Sequence, residues 1–313
     1  MNQIAEKNTN LKTELYSFHI ANGGKMVPFA GYDMPVQYSE GIIKEHQHVR
    51  SAVGIFDVSH MGQFSIFGNE KDYLALEQIV PIDLKSLKVN QSKYSVLMND
   101  KGGIDDDLII TKSEEGINIV LNAACKHHDI TRIHEVINPS KTKLHDNLSL
   151  IAIQGPKALD VLQSITKVDL RGIKSYHFRE GTVAGIKGIL ISATGYTGAG
   201  GFELYVKNDK AELLWKKVFN AGAQYGIKPI GLGARDTLRL EMGYCLYGND
   251  IDDKTSPLEA GLGWITKFSK SFINSTALAS QKKNGIQKKL IGFKINGKGI
   301  PRNNYSIMNS EGI

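Results

Sequence analysis

The stretch that decides the reading is KGGIDDDLII, residues 101–110. Two glycines make a turn, three carboxylates follow in a row, and the chain then turns apolar through Leu108, Ile109 and Ile110. Residues 94–98 and 108–111 flank the Gly102-Gly103 turn, which predicts a hairpin. In a strand, Asp105 and Asp107 share one side with Ile109, while Asp106 shares the other with Leu108 and Ile110. Asp is depleted in strands, and a buried carboxylate is costly unless it is paired or hydrogen-bonded. Spacing alone leaves two readings open. All three acids stay wet and cap the turn, or one is held in a cleft to stabilise a cation or orient a nitrogen.

Outward from this hairpin, strands outnumber helices. Residues 34–38, 63–68, 117–121, 148–153 and 188–193 read as extended, and so does a final strand at 290–295. Ser39 is predicted to cap a helix carrying Ile42, Ile43, His46 and Val49. Residues 71–79 read as a second helix. Gly155-Pro156 opens a third, with Ala158, Leu159, Leu162 and Ile165 on one side. Asp209 caps a fourth whose Leu214, Val218 and Phe219 face the core, and Gly226 lies just past its end. Local pairing of strands predicts an α+β fold rather than a doubly wound parallel sheet. The Lys-rich run QKKNGIQKK, residues 281–289, reads as a boundary.

At 313 residues with 41% hydrophobic and 22% charged side chains, the chain can bury a core without staples. Two cysteines are too few for a disulfide framework, which points to a reducing compartment. The net charge of +6 is scattered rather than gathered into runs with aromatics, so nucleic acid is disfavoured as a partner. No stretch approaches the roughly 18 apolar residues of a membrane span. The polar N-terminus has no signal core, and residues 1–12 read as loose. Together these features predict a soluble, cytoplasmic protein. His46/His48 and His127-His128-Asp129 lack metal-site spacing, so no metal is expected. His60 reads as a satisfied core or hinge histidine.

Two further segments stand out. In GYTGAGGFELY, 195–205, glycines surround Tyr196 and precede a strand carrying Glu203. Without a following Gly-Lys-Ser/Thr this is no P-loop, and glycines before a strand make no dinucleotide fingerprint. It is either a plain flexible loop or a backbone that a flat ligand approaches, with Tyr196 to stack and Glu203 to accept two N–H bonds. In GLGARDTLRLEMGYCLYGNDID, 231–252, Arg235 and Arg239 share a helix face. They form either surface ion pairs with Asp236 or Glu241, or a cleft cation that holds a carboxylate or fixes Glu203.

Taken together, KMVPFAGYDMPVQY (25–38), RSAVGIFDVSHMGQ (50–63), KGGIDDDL (101–108), GYTGAGGFE (195–203), GARDTLRLEMGYCLYGNDID (233–252) and SPLEAGLGWITK (256–267) resemble the T-protein family, the aminomethyltransferases of the glycine cleavage system. The resemblance runs from about Leu15 to Gly312. It implies a cloverleaf of intertwined α/β subdomains around a central folate cavity. Residues 1–280 would form the folate-binding domain, and 284–313 the incomplete start of a truncated C-terminal β-barrel domain. It implies transfer of a one-carbon unit from the aminomethyl-dihydrolipoyl H-protein to tetrahydrofolate, with release of ammonia.

Residue by residue, the family motif Gly-Gly-Ile-x-Asp-Asp-Leu puts Asp105 in the variable slot and makes Asp106 the catalytic acid. Glu203 becomes the pterin-binding acid and Arg235 a second folate contact, with Tyr196, Tyr94 and Asn122 lining the pocket. Tyr32 replaces the more usual Trp, and Ala199-Gly200 replaces Glu-Asp. The chain also stops before a further Tyr that family members supply from the C-terminal domain. That departure keeps a catalytically inactive folate-binding protein open as an alternative, beside a folate-dependent demethylase relative.

Overall fold

The computed structural model describes residues 10–302 and 305–312. The expectation that residues 1–12 are loose lies outside them for 1–9 and is corrected for 10–12, where Leu11 exchanges backbone hydrogen bonds with Gly31 and Asp33 and Asn10 donates to Asp33. The predicted hairpin is present and long: Gln91–Met98 pairs antiparallel with Ile104–Ser113. Gly102 has φ +88° and suits the turn, while a Cβ on Gly103 would sit 1.9 Å from the Asp253 carbonyl oxygen. The register slips between Leu97 and Met98, so Leu97 faces Asp106, Met98 faces Ile104, and Asp105 is the extra residue of a bulge. These two strands open a five-stranded antiparallel sheet. Gly116–Leu121, Gly62–Phe67 and Thr142–His145 follow in that spatial order.

The second sheet has six strands in the order Phe178–Val183, Ile186–Ser192, Gly201–Lys207, Leu148–Gln154, Gly54–Asp57 and Lys228–Pro229, the last pair parallel. Its central strands are nearly continuous in apolar residues because both faces are covered. Ile55, Ile151 and Ile153 face one core with Trp215 and Val218 of the helix Asn208–Gly222. Phe56, Leu150 and Ala152 face another, with Val49 of Ile42–Ser51 and Ala234 and Leu238 of Leu232–Glu241. A separate hairpin, Lys25–Phe29 with Tyr32–Gln37, completes the strands. The α+β assignment is therefore correct. No helix among the described residues is long and apolar enough to cross a membrane.

Several local expectations are corrected. Ser39 does not cap the helix at Ile42–Ser51; Gly41, at φ +80°, precedes it. Buried Glu45 instead joins two elements, accepting from the backbone N–H of Tyr38 (2.6 Å) and of Gly231 (2.8 Å). Asp209 lies in the first turn of its helix rather than at the cap, where its charge still complements the helix dipole. Residues 71–79 split into an α-turn, Glu70–Tyr73, and a 3₁₀ turn, Leu74–Gln78. Residues 290–295 form no strand. Among the described residues they have no neighbouring strand to complete a ladder, and the Leu290 N–H reaches inward, to the Glu259 carbonyl.

Candidate functional site

The hairpin register decides which acid faces which way. Val96 stands opposite Asp107 and Tyr94 opposite Ile109, so Tyr94, Val96, Asp107 and Ile109 share one face. The Tyr94 hydroxyl donates to Asp107 Oδ2 at 2.8 Å. Asn122 follows directly on the neighbouring strand, and its Nδ2 lies 2.7 Å from Asp107 Oδ1 and 2.8 Å from Asp106 Oδ1. Burial first, and the charge of Asp106 second, push the Asp107 carboxyl up to about 7. The Tyr94 phenol is likewise raised, by burial and then by Asp107.

The contacts of Asp106 run the other way. Its face is that of Leu108 and Ile110, under the helix Lys126–His134. There it is fully buried beside the Asp129 carboxyl and the Cys125 thiol. Asp105, thrown outward by the bulge, lies 3.8 Å from Arg132 Nε. Asp106 thus does not face Tyr94; its neighbour Asp107 does.

Glu203 stands on Gly201–Lys207 between Ser192 and Ala152 of the adjacent strands. The Thr194 hydroxyl donates to its Oε2. A Cβ on Gly201, at φ +134°, would lie 2.1 Å from the Ile153 carbonyl oxygen, so glycine is required where the loop enters this strand. Arg235 sits on the helix Leu232–Glu241, which Glu45 anchors through Gly231. Its guanidinium lies over the Tyr196 ring, 4.7 Å from the centroid. Burial lowers the Arg235 pKa, and Glu203 followed by Tyr196 pull it back up. Its Nη1 has no acceptor among the described residues.

Arg239, predicted to share its face, is instead taken up by Asp236 and Asp250. Tyr196 stacks on Tyr244 (5.9 Å, 24°), and its hydroxyl donates to the Cys245 carbonyl. Both Asp107 and Cys245 raise the pKa of Tyr94, and Asp107 also raises that of Tyr196, so these groups lie within electrostatic reach of one another. Tyr94, Asp107 and Asn122 thus form one group and Glu203, Arg235 and Tyr196 another, within electrostatic reach of it.

Sequence reasoning missed four participants. Trp264 stacks on Tyr94 (6.2 Å, 20°) while 62% exposed, at the edge of the cluster. It lies in a segment with no periodic signal. Tyr244 was inside a quoted motif without being singled out. His60 is buried as expected but not satisfied: its Nδ1 has no partner among the described residues, and burial lowers its pKa to about 4. Asp107 could have been found from the strand alternation once Tyr94 was placed diagonally across from it on the same face. A cavity of about 140 Å³ lies elsewhere, bordered by Lys12, Tyr32, Lys126 and Ser149. It brings together no pair resembling Glu203 and Arg235, so chemistry rather than cavity size locates the site.

Comparison with known proteins now bears on this cluster. The family profile described as the GCVT N-terminal domain matches residues 15–270. The aminomethyltransferase of Flavobacterium psychrophilum is 51% identical over 303 residues, covering 96% of this chain and 84% of that protein. That of Bacteroides thetaiotaomicron is 51% identical over 305 residues, covering 94% and 82%. The crystal structure of the glycine cleavage system aminomethyltransferase T from Bartonella henselae superposes with a TM-score of 0.79 at 33% identity, over 88% of this chain and 75% of that one. A profile matched over most of the chain and relatives at half identity lead to one conclusion: this chain belongs to the GCVT family, the family of the aminomethyltransferases.

Proposed function

We propose that this protein is the tetrahydrofolate-dependent aminomethyltransferase of a glycine cleavage system. It would take an aminomethyl group from the dihydrolipoyl arm of an H-protein and pass the carbon to folate, releasing ammonia. The observation that carries this reading is the cluster itself. Two groups from separate segments, Tyr94 with Asp107 and Asn122 and Arg235 with Tyr196 and Glu203, lie within electrostatic reach in a chain half-identical to proteins named aminomethyltransferase. That name favours this reading over the demethylase one.

Each residue then has a task that its surroundings suit. The Glu203 carboxylate accepts the 2-amino and N3–H donors of a reduced pterin. The two bonds are parallel and charge-assisted. Arg235 faces the Glu203 carboxylate and has an Nη1 free of acceptors among the described residues for a folate oxygen. Tyr196, stiffened by Tyr244 and Arg235, offers one flat wall, and Tyr94 backed by Trp264 offers another.

The T-protein resemblance gave the acid's role to Asp106 by motif position. The geometry favours Asp107, one residue on, because it shares a face with Tyr94. A carboxyl titrating near neutrality can stabilise the cation formed as carbon leaves sulfur, and can hold or release a proton at the folate nitrogen. Asn122, donating to both acids, fixes their spacing.

The net charge of +6 suits an acidic carrier. The two free cysteines fit a cytoplasmic location. We also read residues 1–280 as the folate-binding part of a cloverleaf. From 284 on, the chain reads as the start of a further β domain, with Leu290, Ile291, Phe293 and Ile295 apolar and exposed. The test is a reaction of the purified chain with aminomethyl-loaded H-protein and tetrahydrofolate. Equal yields of methylenetetrahydrofolate and ammonia are expected. A carrier consumed no faster with folate than without it would overturn the proposal.

A further inference from the structure

The acid behind the site has no role in the chemistry above. Asp129 is completely buried on the helix Lys126–His134, and neither of its carboxyl oxygens has an N–H or O–H donor among the described residues. The same is true of Asp106 Oδ2. Yet these two carboxyls adjoin one another. A carboxyl can donate only when it carries a proton, so the contact is a hydrogen bond only if one proton lies between them. Two ionised carboxylates side by side, without a donor and out of water, would repel.

The neighbours supply no cation to relieve that charge. On the acid strand stand Asp105 and Asp107, and across from them Tyr94. The Asn122 amide is divided between Asp106 and Asp107. Cys125 and Tyr247 add only a thiol and a phenol, both raised by burial first. Arg132 is held by Asp100 and Glu135, and its Nε is 3.8 Å from Asp105. His128 Nδ1 is 3.6 Å from Asp129 Oδ1, too far for a hydrogen bond, and that residue is largely exposed.

We propose that Asp129 is a positioning residue for the transfer chemistry: it holds one proton jointly with Asp106, so the pair presents a single negative charge directly behind Asp107. That charge adds to burial, the larger cause, in holding the Asp107 carboxyl above the ordinary carboxylate range. The inference rests on Asp107 being the acid that faces the substrate. Asp129 itself touches neither folate nor the reacting carbon.

Infrared spectra of the full chain without ligand test the shared proton independently of activity. At about pH 8, well above ordinary carboxylate values, the wild type should show one protonated carboxyl. The signal should vanish in Asp129→Asn, whose amide can donate to an ionised Asp106, and persist in Asp107→Asn. Absence of the signal from wild type, or its survival in Asp129→Asn, overturns the proposal.

A second arm reads the effect on Asp107. Asp129→Leu can neither donate nor share, so the remaining proton settles on Asp106 and the charge disappears. The pH–rate midpoint for aminomethyl transfer should then fall by roughly one unit, while Asp129→Asn keeps the wild-type midpoint. A midpoint unmoved by leucine overturns the tuning role. Loss of transfer in the wild type, with the infrared signals as expected, counts against the transferase reading alone.

Discussion

Replacing Glu203 with alanine should weaken tetrahydrofolate binding by roughly a hundredfold to ten-thousandfold. Glu203 is held by Thr194 and faces Arg235, so its carboxylate is oriented before any ligand arrives. Two charge-assisted bonds to the pterin, at roughly 1.5–3 kcal/mol each, amount to about 3–6 kcal/mol. At about 1.4 kcal/mol per tenfold change, that spans about two to four decades in Kd. The substitution also strips Arg235 of its nearest counter-charge, so the free protein loses some stability as well. Thermal denaturation of the variant separates that effect from ligand binding. Anaerobic titration calorimetry with tetrahydrofolate is the direct assay, and Glu203→Gln keeps the shape while removing the charge. The glutamine variant should fall between alanine and wild type, because its carbonyl still accepts one bond while its amide opposes the second donor. A Kd for Glu203→Ala within tenfold of wild type would refute the pterin-binding assignment.

Asp107→Asn should retain folate affinity within a few fold but lose most transfer activity, whereas Asp106→Asn should keep measurable transfer; the reverse ranking in a coupled ammonia assay would return the role to Asp106. Because the Asp107 carboxyl titrates at about 7, it is protonated below that value and ionised above it, so wild-type transfer should rise through neutrality; a flat pH–rate profile counts against it. Gly201→Ala should destabilise the fold by at least about 2 kcal/mol, because the new Cβ meets the Ile153 carbonyl at 2.1 Å and the residue sits at φ +134°; an unchanged urea midpoint would contradict the packing described. Burial alone would raise the Asp57 carboxyl, yet hydrogen bonds from His19, Thr13 and Ser59 hold it below the ordinary range. Its folded value is the lower one, so its contribution is complete above about pH 4 and is lost as pH falls through the folded value. Asp57→Asn should therefore flatten the acid limb of the stability curve in denaturant melts taken between about pH 3 and 6.

What could be read from residues alone was whatever periodicity or punctuation determines locally. The Gly102-Gly103 hairpin followed from two glycines between apolar runs, and the coupling of Glu203 to Arg235 was one of two readings left open. The caps failed because the tertiary contact outweighed the local preference. Glu45, seven residues on, takes the Tyr38 N–H and also ties in Gly231, so the chain turns at Gly41 instead of Ser39. The strand at 290–295 failed for a related reason, since apolar alternation gives no ladder without a neighbour. Choosing between Asp106 and Asp107 required knowing what each face of the strand meets. Tyr94 and Tyr196 lie on one side and Asp129 on the other. Sequence spacing states that the two acids point apart, but not which direction is the pocket.

That division also explains how a strand tolerates three acids at its mouth. Each carboxylate is relieved by a different means, and the three means are not interchangeable. The bulge turns Asp105 toward Arg132, where a cation offsets it in a largely buried pair. Asp106 faces the core and shares a proton with Asp129, so that pair carries one charge rather than two. Asp107 keeps an ionisable carboxyl, stabilised by a phenol and an amide but by no cation. Had an arginine been placed beside Asp107, its titration would have dropped well below neutrality, leaving a fixed anion unable to exchange a proton at physiological pH. Had all three acids lacked partners, burial would have protonated them together. A single neutral-titrating carboxyl therefore requires burial, one retained negative charge behind it and the exclusion of cations from its own face, and the bulge at Asp105 makes these conditions compatible on one strand.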